Sequence, residues 1–540
     1  MINLTTNPFF LDKEAIAWVK STLASMTTAQ KAGQVFCPMG FTDDSHVLSH
    51  RLVDIGVGGM MYRPDSAAKT QQTHRTIQHM APIPLLLAAN TECGGNGLAF
   101  EGTSFGQPMA VSAAQDPEYA YRMGYTACAE GAAMGLNWSF APIVDINMDF
   151  HNPITNVRTF GSDPEQVLCC ASAYLRGAKE NHVAVAIKHF PGDGVDERDQ
   201  HIVTSVNSLD AEQWDKTYGY VYQNLIDQGA QTVMAGHIAL PCYASKEERF
   251  LPASLAKSLL TGLLREKLGF NGLISTDATP MVGFTAAMPR SKAIPTAIAA
   301  GADMILFNKD LDEDYRFLLD GIDSGIVTLE RLDEAVTRIL ATKAALGLHR
   351  KKELVPGVEA LNVVGCERHR RWARETADKA ITLVKDTQNL LPLSPDKTPR
   401  IYLNVIQKDT DPDNPVVRAW KALFEREGFH VTVRDRRVTV TVQDMGDLTA
   451  MSPEKKALMH EMYRSVEEAR KELERALEDA ELAYRTGAIE YEQNLITAEY
   501  TRDSAILTGQ QAKDVYDETV ASLQSAVTRA KRNYRMRRMI

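Results

Sequence analysis

Eight short apolar runs, separated by helix-length segments, constrain this chain more than any other feature. They lie at Gln34 to Pro38, Gly58 to Tyr62, Leu85 to Ala89, Trp138 to Ala141, Val185 to Lys188, Thr232 to Ala235, Leu273 to Thr276 and Met304 to Phe307. Runs this short, rich in β-branched or small residues and closed by Gly or Pro, read as buried strands. Pro117 to Met134, Pro164 to Asn181, Ala211 to Gln228 and Ser254 to Leu268 are long enough to be crossover helices. Strands alternating with helices over about 250 to 300 residues are what a closed parallel barrel requires. The expected fold class is therefore α/β, a (β/α)8 TIM-like barrel over residues 1 to 350. An open doubly wound sheet is the runner-up, but the glycine pattern that binds phosphates after its first strand is missing.

A barrel places its site at the carboxyl ends of the strands, and polar residues stand there in this sequence. Asn90 and Glu92 follow the third run, Asp145 the fourth, Lys188 and His189 the fifth, His237 the sixth, Asp277 the seventh and Asn308 the eighth. Asp277 ends Gly272 to Ala278 as a lone carboxylate; it reads either as a reactive group or as the cap of the next helix. The fifth run opens the loop KHFPGDGVDERDQH, Lys188 to His201. Asp199 stands two residues before His201, where a carboxylate can fix the imidazole tautomer and hold it charged, as a general acid/base needs. Other readings of the loop stay open: His189 as a core histidine beside Phe190, the charged half as a solvated surface, or a metal site of His189, Asp193, Asp199 and His201, although that spacing matches no zinc or calcium motif. Glu197 is a second candidate acid, better read as a solvated surface residue. A carboxylate facing an acid/base group is also the arrangement used to break glycosidic bonds.

The net charge of -10 and the pI of about 5.8 argue against a nucleic-acid partner. No window approaches the ~18 continuous apolar residues of a membrane span. The first twenty residues lack the pattern of a secretion signal. Seven cysteines without a CxxC pair suggest reduced thiols. The expected compartment is the cytoplasm, with no cofactor and no metal.

KHFPGDGVDERDQH, GLISTDA, MAGHIALP and APIVDINMDFHNPITNVRTFGSDPE resemble glycoside hydrolase family 3. MTTAQKAGQVF is similar to that family's opening helix and strand, and the Asp199-x-His201 pattern is similar to its β-N-acetylglucosaminidase (β-hexosaminidase) branch. The resemblance implies a retaining double displacement. Asp277 would attack the anomeric carbon; His201, kept protonated by Asp199, would protonate the leaving oxygen and then deprotonate the incoming water. It also implies that Lys188, His189 and Arg158 hold sugar hydroxyls, with Asn90 and Glu92 in the sugar-binding motif. Arg158 reads otherwise as a structural ion pair with Asp163 or Asp145. Three departures stand out. Asp193 replaces a histidine of the usual PGHG, where its charge is expected to raise the pKa of His201 or compete for its role. Gln200 replaces the serine of the usual DSH. Asn90 stands where Asp commonly opens the sugar-binding motif, and Asn96-Gly97-Leu98-Ala99 stand where muropeptide-cleaving members carry arginines.

ITLVKDTQNLLPL, Ile381 to Leu393, is similar to the start of the family's second domain. Residues 351 to 448 are expected to form a linker and a shortened α/β sandwich-type domain, with strands near 401 to 406, 429 to 433 and 438 to 442. Beyond Ser452, apolar residues at alternating spacings of three and four predict a C-terminal helical hairpin or coiled coil over 449 to 540, a candidate to hold a homo-oligomer together. The expected function is release of β-linked N-acetylglucosamine, or a related hexosamine, from a small carbohydrate. Phosphorolysis by the same residues is the alternative in chemistry. A non-catalytic scaffold recruiting partners through the tail is the alternative of another class.

Overall fold

The computed structural model describes residues 2–41, 44–407 and 411–435. Each of the eight apolar runs contains a strand. The first, split at Pro38 into Phe36–Cys37 and Met39–Gly40, is followed by Gly59–Tyr62, Leu86–Ala89, Trp138–Ser139, Ala184–Phe190, Thr232–Ala235, Leu273–Ala278 and Met304–Leu306. All pair in parallel with their sequence neighbours. Phe36 and Cys37 pair back onto Ile305 and Leu306, while Met39 and Gly40 pair with Met61 and Tyr62. The ring of pairings therefore passes through one strand, interrupted where proline lacks an N–H. The fourth strand is shorter than expected because Pro142 follows Ala141, although the Phe140 N–H still reaches the Ala89 carbonyl at 2.9 Å.

Helices cover the outside. Two of them open on the same signal: Asp116-Pro117-Glu118 begins Pro117–Ala133 and Asp163-Pro164-Glu165 begins Pro164–Glu180. The Asp carboxylate caps a free N–H and proline occupies the first turn. The expected helix over 211 to 228 is continuous from Ala211 to Asp227, and that over 254 to 268 runs mainly as Ser258–Lys267.

Alternation along the strands sorts the core. Val185, Ile187, Val233 and Ile274 pack outward with Tyr174 and Leu175 of a covering helix. Trp138, Phe140, Ala184, Ala186 and Met234 fall in the second cluster. There Trp138 meets Phe140 edge-on at 4.7 Å and donates its indole N–H to Thr232 Oγ1 at 2.8 Å. A buried donor without a partner costs about 1–3 kcal/mol. Thr232→Val is therefore expected to lower unfolding stability by about 2 kcal/mol in urea titration, with the denaturant slope unchanged.

Two irregularities shape the mouth. Lys188 and Phe190 pair with the consecutive residues Met234 and Ala235, and Ser275 and Ala278 with Met304 and Leu306. Each is a bulge with one extra residue, which re-aims side chains. The first lets the adjacent Lys188 and His189 face one cavity, and the second falls at Asp277.

The chain divides into two compact units, Met1–Val384 and Lys385–Ile540. In the first, the helix Glu367–Ala380 is tied down by a buried 2.8 Å pair between His369 and Glu130. In the second, Arg400–Leu403 pairs in parallel with His430–Val433, joined by the helix Pro415–Arg426. The expected strand at 438 to 442 and the hairpin or coiled coil of 449 to 540 lie outside the described residues. No described helix is long and apolar enough to cross a membrane.

Candidate active site

A cavity of about 440 Å³ opens at the carboxyl ends of the strands, with Asn90, Glu92, Arg158, Lys188, His189, His201 and Asp277 in its wall. Asp199 stands behind His201. The loop, the strand ends and Arg158 thus converge as the sequence suggests. His237 and Asn308 do not join them. The His237 ring is buried between Ser254 Oγ and the Ala278 carbonyl, and Asn308 turns to the Asp314 carboxylate at 3.0 Å.

Glu92 is the anchor of one wall. Its carboxylate takes Lys188 Nζ at 2.5 Å and the Arg158 guanidinium at 3.0 and 2.9 Å, and Lys188 also reaches Asn90 Oδ1 at 3.4 Å. Burial works to raise the Glu92 carboxyl, but the two cations outweigh it and hold it well below the usual carboxylate range. The ion-pair partner of Arg158 is therefore Glu92. Asp163 instead caps a helix, and Asp145 serves His189.

Asp145 is fully buried and takes both the backbone N–H and the Nδ1 of His189, at 3.0 and 2.7 Å. This fixes the ring so that Nε2 lies 3.9 Å from Asp277 Oδ2. Asp277 Oδ1 accepts from the Ala278 N–H at 2.7 Å. Burial pushes the Asp277 carboxyl up, yet the neighbouring His189 and His237 bring it below its ordinary value, so it stands ionised near neutrality.

On the loop, Asp199 Oδ1 holds His201 Nδ1 at 2.7 Å and its backbone N–H at 2.8 Å. The His201 side chain is 53% exposed, which leaves Nε2 accessible from the mouth. The loop is docked on the segment after Asp277: the Val282 N–H donates to the His201 carbonyl at 2.9 Å and the Gly283 N–H to that of Gln200 at 3.1 Å. Its far end, Ser205–Val206, pairs with Ile238–Ala239.

Asp193 bonds the residue next to His201 rather than His201 itself. It is 2% exposed and bonds Gln200, Asn152 and the Gly194 N–H. Burial, then the charge of Asp145, push its carboxyl up to about 6. Glu197 is exposed. His189, Asp193, Asp199 and His201 are not gathered as ligands, and no such metal-binding group occurs among the described residues. The hold of Asp145 on His189 and the buried contacts of Gln200 escaped the sequence, because no motif marks a buried acceptor. The one signal was polar residues inside apolar surroundings, as in Ile143-Val144-Asp145-Ile146.

A parallel barrel whose strand ends gather carboxylates, histidines and paired cations around a cavity of about 440 Å³ fits a carbohydrate-cleaving enzyme. Residues 27–342 match the model of the glycosyl hydrolase family 3 N-terminal domain, and the chain belongs to that family. It is 44% identical over 425 residues, 78% of this chain and 75% of the relative, to a β-N-acetylglucosaminidase/β-glucosidase of Cellulomonas fimi. It is also similar to a solved β-glucoside phosphorylase, BglX, bound to 2FGlc: 43% identity, TM-score 0.79, 83% of this chain and 82% of that one. A family 3 β-N-acetylglucosaminidase from Paenibacillus sp. strain FPU-7 superposes with a TM-score of 0.69 at 25% identity, covering 82% and 83%.

Proposed function

We propose that this chain is a retaining β-glycosidase that releases terminal β-linked N-acetylglucosamine, or the related glucose, from a small glycoside. The observation that supports the reading is one cavity lined by both Asp277 and His201, with the Asp199 carboxylate bonded to the His201 ring. Asp277 attacks the anomeric carbon from below as the glycosidic oxygen leaves from the opposite face. His201, kept in one tautomer by Asp199, gives its proton to that oxygen. In the second half the neutral imidazole takes a proton from the incoming nucleophile, which displaces Asp277 and restores the β configuration. Lys188, Arg158 and His189 hold ring hydroxyls, and Asn90 adds a neutral hydrogen-bonding group beside them. The group that takes the incoming nucleophile's proton is an imidazole rather than a carboxylate, so the second nucleophile can be water or phosphate.

Phosphorolysis is the second reading. It is favoured by this histidine, which repels an incoming phosphate less than a carboxylate would, and by the 43% identity to a solved β-glucoside phosphorylase. Turnover in phosphate buffer separates the two: free sugar marks hydrolysis and sugar 1-phosphate marks phosphorolysis.

His201→Ala is expected to depend steeply on the leaving group. General acid catalysis contributes roughly 10²–10⁴-fold where the leaving oxygen is basic and little where it is not. kcat/KM should therefore collapse for a phenyl glycoside and change by less than about tenfold for a 2,4-dinitrophenyl glycoside. An equal loss on both would remove His201 from the acid role.

A further inference from the structure

Gln200, the residue before His201, is 1% exposed and committed at both ends. Its Nε2 donates to Asp193 Oδ2 at 3.1 Å, and its Oε1 accepts from the His237 N–H at 2.9 Å. Asp193 is equally committed: Oδ1 accepts from the Gly194 N–H at 2.8 Å and Asn152 Nδ2 at 2.9 Å. Its own N–H donates to Asp145 Oδ1 at 2.8 Å. Asp145 in turn orients His189, which faces Asp277. One hydrogen-bonded chain thus joins the residue beside the loop histidine to the wall that carries the strand-seven carboxylate. Both residues depart from the usual family letters, and in this fold the two departures bond each other.

The Asp199 contact leaves a question of placement. Asp199 and His201 sit two residues apart on one loop, so their bond fixes the imidazole's tautomer without fixing where the loop stands over the cavity. That position is set by the loop's ties to the barrel. Gln200 supplies one from its side chain to the His237 N–H and one from its carbonyl to the Gly283 N–H. A third runs indirectly through Asp193, whose own N–H is held by Asp145.

We propose that Asp193 and Gln200 form a matched positioning pair that sets where His201 presents its imidazole to the leaving oxygen. Neither touches the reacting atoms; they act through His201, and the proposal rests on His201 being the acid. A donor displaced by an ångström loses rate where proton transfer carries most of the barrier, which is with basic leaving groups.

The polarity of the pair makes it testable with near-isosteric changes. Asp193→Asn sets an amino group against the Gln200 amino group or, with the amide turned over, against the Gly194 and Asn152 donors. Gln200→Glu sets a carboxylate against Asp193. The double variant Asp193→Asn/Gln200→Glu restores one donor and one acceptor at each contact and keeps the wild-type net charge. kcat/KM is measured for phenyl and 2,4-dinitrophenyl glycosides of the sugar that the wild type cleaves, on the full chain.

Each single variant is expected to lose about tenfold or more on the phenyl glycoside and less than about threefold on the dinitrophenyl one, and the double to return to within about threefold of wild type on both. The proposal is overturned by singles that leave the phenyl rate intact, by singles that lower both substrates equally, or by a double no better than the product of the singles. If the singles fail to fold, the double decides alone: wild-type leaving-group dependence supports the pairing, and a selective loss on the phenyl glycoside defeats it. His201→Ala in parallel separates the two layers. Equal loss there refutes the acid assignment, whereas recovery in the double still reports whether the pair is matched.

Discussion

Asp277→Ala is expected to abolish turnover of nitrophenyl β-N-acetylglucosaminide and β-glucoside alike, by about 10⁴-fold or more, because it removes the group that forms the covalent bond. The loss is expected without a matching loss of stability. Asp277 accepts one local N–H and lies 3.9 Å from His189, so its removal frees no tightly bonded cation. The space left below the sugar also invites rescue. Azide at high concentration should restore part of the rate and yield an α-glycosyl azide, since it approaches from the face that Asp277 used. Rescue with a β product, or activity surviving the substitution, would place the nucleophile elsewhere.

Glu92→Gln is expected to cost both stability and binding. Glu92 neutralises Lys188, whose side chain is 3% exposed, and Arg158. Removing one partner of a buried ion pair costs about 3–5 kcal/mol because the other charge is left uncompensated. A loss near 3 kcal/mol in chemical unfolding is expected, with KM raised by about tenfold as the two cations lose their fixed aim. The pH dependence gives a second check. The folded-state pKa of Glu92 lies below its ordinary value of 4.5, so its stabilising contribution is complete above that pH and is lost as pH falls through 4.5 toward the depressed value. Wild type should lose stability over that acid range by more than Glu92→Gln does. Parallel profiles would mean that the ion pairs contribute nothing net.

The barrel was legible because its signal is periodic and redundant: eight short apolar runs each had to be buried between neighbours, and a strand formed in all of them. The site was legible where a residue's place after a strand dictates its direction, as with Asp277, Lys188 and Glu92. It was less so where the answer depends on who bonds whom. Arg158 could be assigned a carboxylate partner but not Glu92, because 66 residues separate the two in sequence. His237 and Asn308 also follow strands, yet they turn to Ser254 and Asp314, and strand position alone does not carry that choice. Asp193 reads in the sequence as a charge near His201, but its partners, the Gln200 amide, Asn152 and the Gly194 N–H, emerge only in the fold. The bulges at Lys188 and Asp277 were hidden for a similar reason, since an extra residue shows only when two strands are set side by side.

The most direct test of the account is to trap the covalent intermediate. Enzyme that turns over a nitrophenyl β-glucoside is incubated with 2-deoxy-2-fluoro-β-glucosyl fluoride, digested, and the modified residue located by mass spectrometry. The account expects one fluoroglucosyl group per chain, on Asp277 within the peptide that contains Leu273 to Ala278. A label on any other carboxylate, or none from enzyme that is active on the nitrophenyl glycoside, would contradict it.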